Sequence, residues 1–321
     1  MIYHITTADR WEAAQKLGVY RADSLQSQGF IHCSDAQQVV RVANALFARK
    51  QGLTLLHIDP RKLKANVVYE NLDGGTEDFP HVYGPIDLEA VVKVTSFRPN
   101  PDGNFDHFRI TLALSEFKPI ETERLWLRPY RPSDAPFIQK LAGEREVAKT
   151  LSNVPHPYED GMAEAWIDMA LEALAQARSL HLAIALKKEF SGDYAEGHAG
   201  GQSEPGAAGD DLFIGSIGLE ISFWSNSAEI GYWLGLPYWN KGYMTEAARA
   251  MLTYGFETLG LNRIEARHMT NNPASGRVMQ KIGMTYEGTA RQATQRFGEY
   301  HDLALYSILR SEYEAAKTAA S

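Results

Sequence analysis

The chain has 321 residues, 44% apolar and 22% charged, enough to bury sizeable cores and, at roughly 150 residues per domain, to suggest two domains. The formal net charge of -8, without any run of Lys and Arg, excludes a nucleic-acid partner held by phosphate neutralisation and favours the attraction of basic amines. No stretch approaches the roughly 18 consecutive apolar residues of a membrane span, the start Met1-Ile2-Tyr3-His4-Ile5 lacks a signal-peptide pattern, and the single cysteine, Cys33, cannot form an internal disulfide, so no membrane contact and a cytoplasmic location are expected.

Apolar alternation over Met1 to Ile5, then helical patterns at Trp11 to Leu17 and Ala36 to Arg49, predict a small α+β unit at the N-terminus. Strand-like runs follow at Leu53 to Ile58, Val67 to Glu70 and Val91 to Phe97. The turn formers of Arg98 to Asn104 end that pattern, and a short run, Phe108 to Leu114, either closes this domain or bridges to the next. These features put one domain at residues 1–114 and another at 120–316, with the boundary near Phe117 to Ile120.

The second domain opens with a strand at Leu125 to Pro129. Arg131-Pro132-Ser133-Asp134 then supplies a helix start, and another helix is expected from Glu159 to Ala177. Runs at Ser179 to Leu186, Leu212 to Ser222 and Ala228 to Leu234 fit strands of a central antiparallel sheet. Residues 189–210, rich in Gly and Ser and poor in apolar surface, predict a mobile insertion, either a surface extension or a substrate lid.

The most informative stretch runs from Tyr232 to Ala247. A strand enters a turn at Gly242, and a helix follows whose apolar stripe is Ala247, Ala248, Met251, Leu252, Gly255, Phe256 and Leu259. Free N–H groups at that helix start, with the positive end of the helix dipole, can hold an anion, and Gly242 lets the backbone come close to it. A strand at Arg263 to His268 leads to Asn272, a good cap for a helix over Pro273 to Lys281, which Gly283 ends before a return strand beginning at Met284.

These residues resemble the GNAT acetyltransferases, and within them the RimJ/RimL-like ribosomal-protein N-acetyltransferases. The resemblance covers about residues 120–316 through Ile120 to Pro129, Ile214 to Leu219, Ala228 to Leu234, Trp239 to Ala247, Asn272 to Gly283 and Asp302 to Tyr306, in that order. It implies a splayed, mostly antiparallel mixed sheet flanked by helices, acetyl-CoA as cofactor, and transfer to a primary amine, either a protein or peptide N-terminal α-amine or a small-molecule amine. By the same resemblance Ile230, Tyr232, Trp233 and Leu234 line the cofactor cleft. Trp239, Asn240, Lys241, Gly242, Tyr243, Met244 and Thr245 form the pyrophosphate turn, and Asn272 and Ser275 stand near the pantetheine arm and thiol. Met244 departs from the Gly or Ala of the general family loop and puts a bulkier side chain at the turn.

Acyl transfer to an amine needs a neutral nucleophile, a polarised carbonyl and a proton for the leaving thiolate. Glu229 is the first candidate base, with Glu220 behind it, although each also fits an ion-paired strand carboxylate. Backbone N–H groups around Gly231 to Trp233 are candidates for the oxyanion site. Ser275 leads as proton donor with Tyr306 as alternative, because branches of the resembled family use a serine or a tyrosine there.

Residues 1 to about 110 resemble a small bacterial domain of unknown function through Ile2 to Ile5, Gln28 to Ser34 and Phe79 to Pro85, and loosely the ADP-ribosyltransferase fold. The resemblance suggests a pocket of His4, His32, Ser34, Glu70, His81 and Tyr83, with His4 on a ribose of an NAD-like ligand. Plain ligand binding and purely structural histidines are the alternatives. The histidine spacing does not suit zinc, so no metal is expected. Two further readings of the whole chain remain: a catalytically silent acetyl-CoA sensor, and a bifunctional protein whose first domain uses an NAD-like ligand.

Overall fold

The computed structural model describes residues 1–72, 74–75, 77–152, 154–191 and 211–320. Most of the expected insertion, 192–210, lies outside the described residues. The chain divides into two compact units, Met1–Glu116 and Phe117–Ser321.

In the first unit, β1 (Ile2–Thr7) leads into α1 (Ala8–Leu17), where the Thr7 side chain accepts from the Arg10 amide and Gly18 in the left-handed region ends the helix. There follow β2 (Val19–Tyr20), α2 (Asp23–Ser27), β3 (Ile31–His32), α3 (Val39–Leu46), β4 (Leu53–Ile58) and β5 (Asn66–Glu70). Then come β6 (Phe79–Tyr83), β7 (Ile86–Asp87), β8 (Val91–Phe97) and α4 (His107–Ser115). α3 starts later than its apolar pattern suggests, because the Asp35 carboxylate takes the Gln37 and Gln38 amides into a turn. The run Phe108 to Leu114 proves to be a helix, and its Leu112 joins Phe97 and Phe105 in a buried cluster.

The sheets of this unit are β1-β4-β8, β3-β6-β5 and the pair β2-β7. Every residue of β4 is buried because both its faces are covered, which is why Leu53 to Ile58 reads as a continuous apolar run rather than an alternating one.

The second unit contains β9 (Ile120–Glu121), β10 (Leu125–Arg128), α5 (Ala135–Gly143), α6 (Arg145–Ala148), α7 (Met162–Ala175), β11 (Ser179–Leu186) and α8 (Lys188–Ser191). It continues with β12 (Leu212–Ser222), β13 (Ser227–Leu234), α9 (Tyr243–Thr253), β14 (Arg263–Met269) and α10 (Pro273–Lys281). A long hairpin, β15 (Thr285–Arg296) and β16 (Glu299–Leu309), precedes α11 (Arg310–Ala320).

The described residues build one eight-stranded sheet in the order β15-β16-β14-β13-β12-β11-β10-β9. Its pairs are antiparallel except β13–β14, which is parallel and extends only over Ser227–Glu229 against Arg263–Glu265. Beyond Glu229 the two strands no longer pair, so the middle of the sheet opens. Gly255 stands where a Cβ would come within 2.6 Å of Ile264, which explains a glycine in the apolar stripe that packs against β14. No helix among the described residues is long and apolar enough to cross a membrane.

Candidate functional site

The open edge of β13 begins at Ile230. The Gly235 amide bonds to Ile214 on β12, so by strand alternation the amides of Ile230, Tyr232 and Leu234 face the other way, into the gap left by β14. They are the backbone donors available for an oxyanion.

At the end of β13 the chain turns into α9. Asn240 and Gly242 both have positive φ, 61° and 83°, and the helix has no side-chain N-cap bond, so its first amides are left for another acceptor. Asn240, Lys241 and Gly242 are exposed, whereas Tyr243 and Met244 are buried. The bulk of Met244 therefore lies in the core and does not cover the turn. The Trp239 indole N–H donates to the Leu234 carbonyl at 2.7 Å and folds the entry to the turn back on the strand. Thr245, the third residue of α9, is half-buried.

Sequence reasoning assigned no role to Arg124 at this turn. Its Nε donates to Glu246 at 2.7 Å, its Nη1 to the Lys241 carbonyl at 3.1 Å, and its guanidinium lies 4.6 Å from the Tyr243 ring centre. Glu246 also accepts from Thr122 Oγ1 and the Arg124 amide, and these contacts hold its carboxyl below the usual range despite partial burial. A fixed positive charge beside an uncapped helix start suits a phosphate. Only local spacing was readable, and the Arg124–Glu246 pair joins residues far apart in sequence.

Across the gap, Asn272 caps α10 by accepting from the Ser275 amide. The Ser275 hydroxyl donates to the Tyr232 hydroxyl at 3.2 Å, and Tyr232 donates to the Ser275 carbonyl at 3.1 Å. Burial pushes the Tyr232 phenol up to about 12, so it stays protonated. Tyr306 is buried on β16, where its hydroxyl accepts from Gln280 at 3.4 Å. Gly276 stands against His268, whose Nε2 would be 2.7 Å from a Cβ there.

The opposite face of the sheet carries carboxylates. Glu220, Glu229 and Glu265 are direct cross-strand partners on β12, β13 and β14 and so share that face. Burial raises the Glu229 pKa, with Arg267 opposing and Glu265 and Glu220 adding to the rise. Arg267 Nε donates to Glu229 Oε1 at 2.7 Å, while the other carboxylate oxygen has no partner among the described residues. Glu220 pairs with His181 Nε2 at 2.9 Å and is held below the usual range by that bond.

In the first unit, His81 Nδ1 and the Tyr83 hydroxyl both donate to Glu70 Oε1, at 3.1 and 2.7 Å. His32 lies edge-on to His81 with ring centres 5.1 Å apart, and Phe30 packs on both. Ser34 is buried, its backbone bonded both ways to Tyr3. His4 does not join the cluster through its side chain. Its Nδ1 donates to the His32 carbonyl at 2.7 Å and its Nε2 lies 2.8 Å from the Tyr20 hydroxyl, so the ribose contact expected of it has no free ring nitrogen.

Burial lowers the His4 pKa to about 4, against about 6.5 for an unperturbed histidine. The unfolded chain takes up this proton below about pH 6.5 and the folded chain only near pH 4. The contribution of His4 to stability is therefore complete above about pH 6.5 and is lost as pH falls towards 4, at up to about 1.4 kcal/mol per pH unit. Pulse proteolysis in urea, read at cleavages within residues 1–116, is expected to show this loss between pH 7 and pH 5. The slope should flatten in His4→Gln, and an unchanged slope would exclude His4 as its source.

Residues 124–285 match the acetyltransferase (GNAT) domain family, and residues 5–94 match the family of unknown function DUF952. The uncharacterized N-acetyltransferase p20 of Bacillus licheniformis is 28% identical over 195 residues, 60% of this chain and 97% of that protein. YdaF of Bacillus subtilis (strain 168), provisionally named a ribosomal N-acetyltransferase, is 38% identical over 115 residues, 36% of this chain. The match spans 63% of YdaF, slightly under two thirds of that relative. One solved crystal structure, described as a probable acetyltransferase, is 26% identical with a TM-score of 0.50, covering 61% of this chain and 98% of its own.

Proposed function

This chain belongs to the GNAT acetyltransferase family, and from that premise we propose that it transfers an acetyl group from acetyl-CoA to a primary amine. The observation that carries the reading is the continuity of the uncapped, glycine-started α9 with the open edge of β13. An anion held at the turn lies at one end of that gap, and the backbone donors of Ile230, Tyr232 and Leu234 line its wall. The fit is good: the first amides of α9 need an acceptor, the exposed turn leaves room for one, and Arg124 adds positive charge.

When bound, acetyl-CoA supplies the activated acetyl group. The amides of Asn240 to Met244 would hold its pyrophosphate, and Asn272 would bond near the pantetheine arm. Ser275, bonded to the protonated Tyr232, provides a proton on the thiol side. Glu229, on the other face, draws the ammonium through its unpartnered oxygen. The acceptor is a protein or peptide α-amine or a small-molecule amine. The ribosomal assignment of YdaF supports the former, and the row Glu220–Glu229–Glu265 suits a cation of either kind.

A thiol-release screen with acetyl-CoA and a library of amines and N-terminal peptides tests the reading. Release on at least one class is expected, with kcat/KM for the amine falling about 10- to 100-fold in Glu229→Gln. Tight acetyl-CoA binding without release on any amine would instead identify a sensor.

A further inference from the structure

We propose that His181, oriented by Glu220, accepts the proton of the incoming ammonium, an inference that rests on the acetyltransferase reading above. In the sheet register His181 pairs with Gly218, and Gly218 with Gly231, so the three share one face and two of them carry no side chain. The imidazole leans over this bare floor. Its Nδ1 is 2.7 Å from the place a Cβ would take at Gly218, so only glycine leaves the ring where it is. A Cβ at Gly231 would meet nothing within 4 Å, and Gly231 is exposed. The corridor beyond the ring is therefore open, on the strand whose other edge faces the β14 gap.

The tautomer follows from the partner. Glu220 is a carboxylate and can only accept, so the 2.9 Å contact puts the hydrogen on Nε2 and leaves a lone pair on Nδ1. Nδ1 has no partner among the described residues. The ring is fixed as well: Trp166 of α7 meets it edge-on at 5.1 Å, Tyr130 meets Trp166 edge-on in turn at 6.4 Å, and the Tyr130 hydroxyl bonds to Ser216. A base that is oriented by a carboxylate, clamped by an indole and open on one side is arranged for proton transfer rather than for packing alone. Glu229, in the neighbouring row and already engaged by Arg267, holds the ammonium beside it.

The step moves one proton. R–NH3+ and neutral imidazole become R–NH2 and imidazolium, with the N–H bond of the amine broken and the Nδ1–H bond formed. Across the whole reaction ammonium and thioester become amide and thiol, and the one proton left over is the one the imidazolium returns to solvent.

The test uses the full chain with the amine that gives the fastest thiol release. His181→Ala is expected to lose about 100-fold or more in kcat/KM for the amine while its acetyl-CoA Kd, by calorimetry, is unchanged. Added imidazole should restore turnover, but pyrazole, of the same shape and far less basic, should not. His181→Gln, which keeps a hydrogen-bond donor for Glu220, should be equally slow. Nitrogen-15 spectra of histidine-labelled wild type should show a protonated Nε2 and a bare Nδ1 on the neutral ring, a preference lost in Glu220→Gln. A rate within about threefold of wild type in His181→Ala, equal rescue by pyrazole, or a protonated Nδ1 on the neutral ring would each overturn the proposal. Failure of wild type to bind acetyl-CoA would instead overturn the underlying acetyltransferase reading, and the role of His181 with it. Binding without release on any amine would remove the catalytic role alone.

Discussion

Gly242→Asp is expected to weaken acetyl-CoA binding by at least about 100-fold in calorimetry, with the chain still folded. Two effects act in the same direction. A carboxylate placed at the uncapped start of α9 would lie within a few ångströms of the pyrophosphate, where two like charges repel by about 4 kcal/mol at an effective dielectric near 20. The new carboxylate would also stand beside Arg124, whose Nη2 is 3.4 Å from the position of the added Cβ, and would occupy the guanidinium proposed above to serve the phosphate. A left-handed φ of 83° costs a side chain of this kind about 1–2 kcal/mol, which affects folding more than binding. Gly242→Asn carries the same strain without the charge, since Asn tolerates this conformation better than most residues. It should retain most of the affinity. If Asn and Asp lose affinity equally, shape rather than charge governs the turn, and the assignment of the pyrophosphate to these amides falls.

The second large effect concerns stability. Arg128→Met is expected to destabilise the second unit by about 3–5 kcal/mol. Arg128 grips Asp134 with two bonds of 2.8 and 2.9 Å and Asp211 with two of 3.0 and 2.9 Å, and its side chain is only 5% exposed. Removing the cation leaves two carboxylates with little access to water, and Arg131 compensates only Asp211 through its side chain. For a unit of this size the midpoint of thermal unfolding should fall by very roughly 10 °C. Replacing all three members by apolar residues of similar volume should recover most of the loss, because a buried ion pair costs nearly as much to desolvate as it returns in attraction. A single variant as stable as wild type would mean that the carboxylates find other partners. The network ties the end of β10 to the residue just before β12, both strands of the sheet that carries the site.

Local chemistry explains which parts were readable. Leu53 to Ile58, Ser179 to Leu186 and Leu212 to Ser222 announce themselves as strands because burial on one or both faces demands sustained apolar character. Asn272, Pro273 and Gly283 delimit α10 because capping and termination depend on residues within one turn. The turn at Gly242 was legible for the same reason: a left-handed residue followed by an apolar helix is a short-range pattern. Strand β3, only Ile31–His32, was not, since two residues carry no periodicity.

The sequence by itself therefore determined the two-part organisation, the strands and helices with strong local periodicity, the glycine turn that starts α9 and the family to which they point. Only the tertiary structure decided the partners. It brought Arg124 to Glu246, paired Glu229 with Arg267, withdrew His4 from the open cluster around Glu70, and laid His181 across Gly218 in line with Gly231. The physical reason is common to all four. Charge, hydrogen bonding and free space at a side chain are set by strand register and by helices packed from distant parts of the chain, and these are properties of the folded sheet rather than of any window of residues.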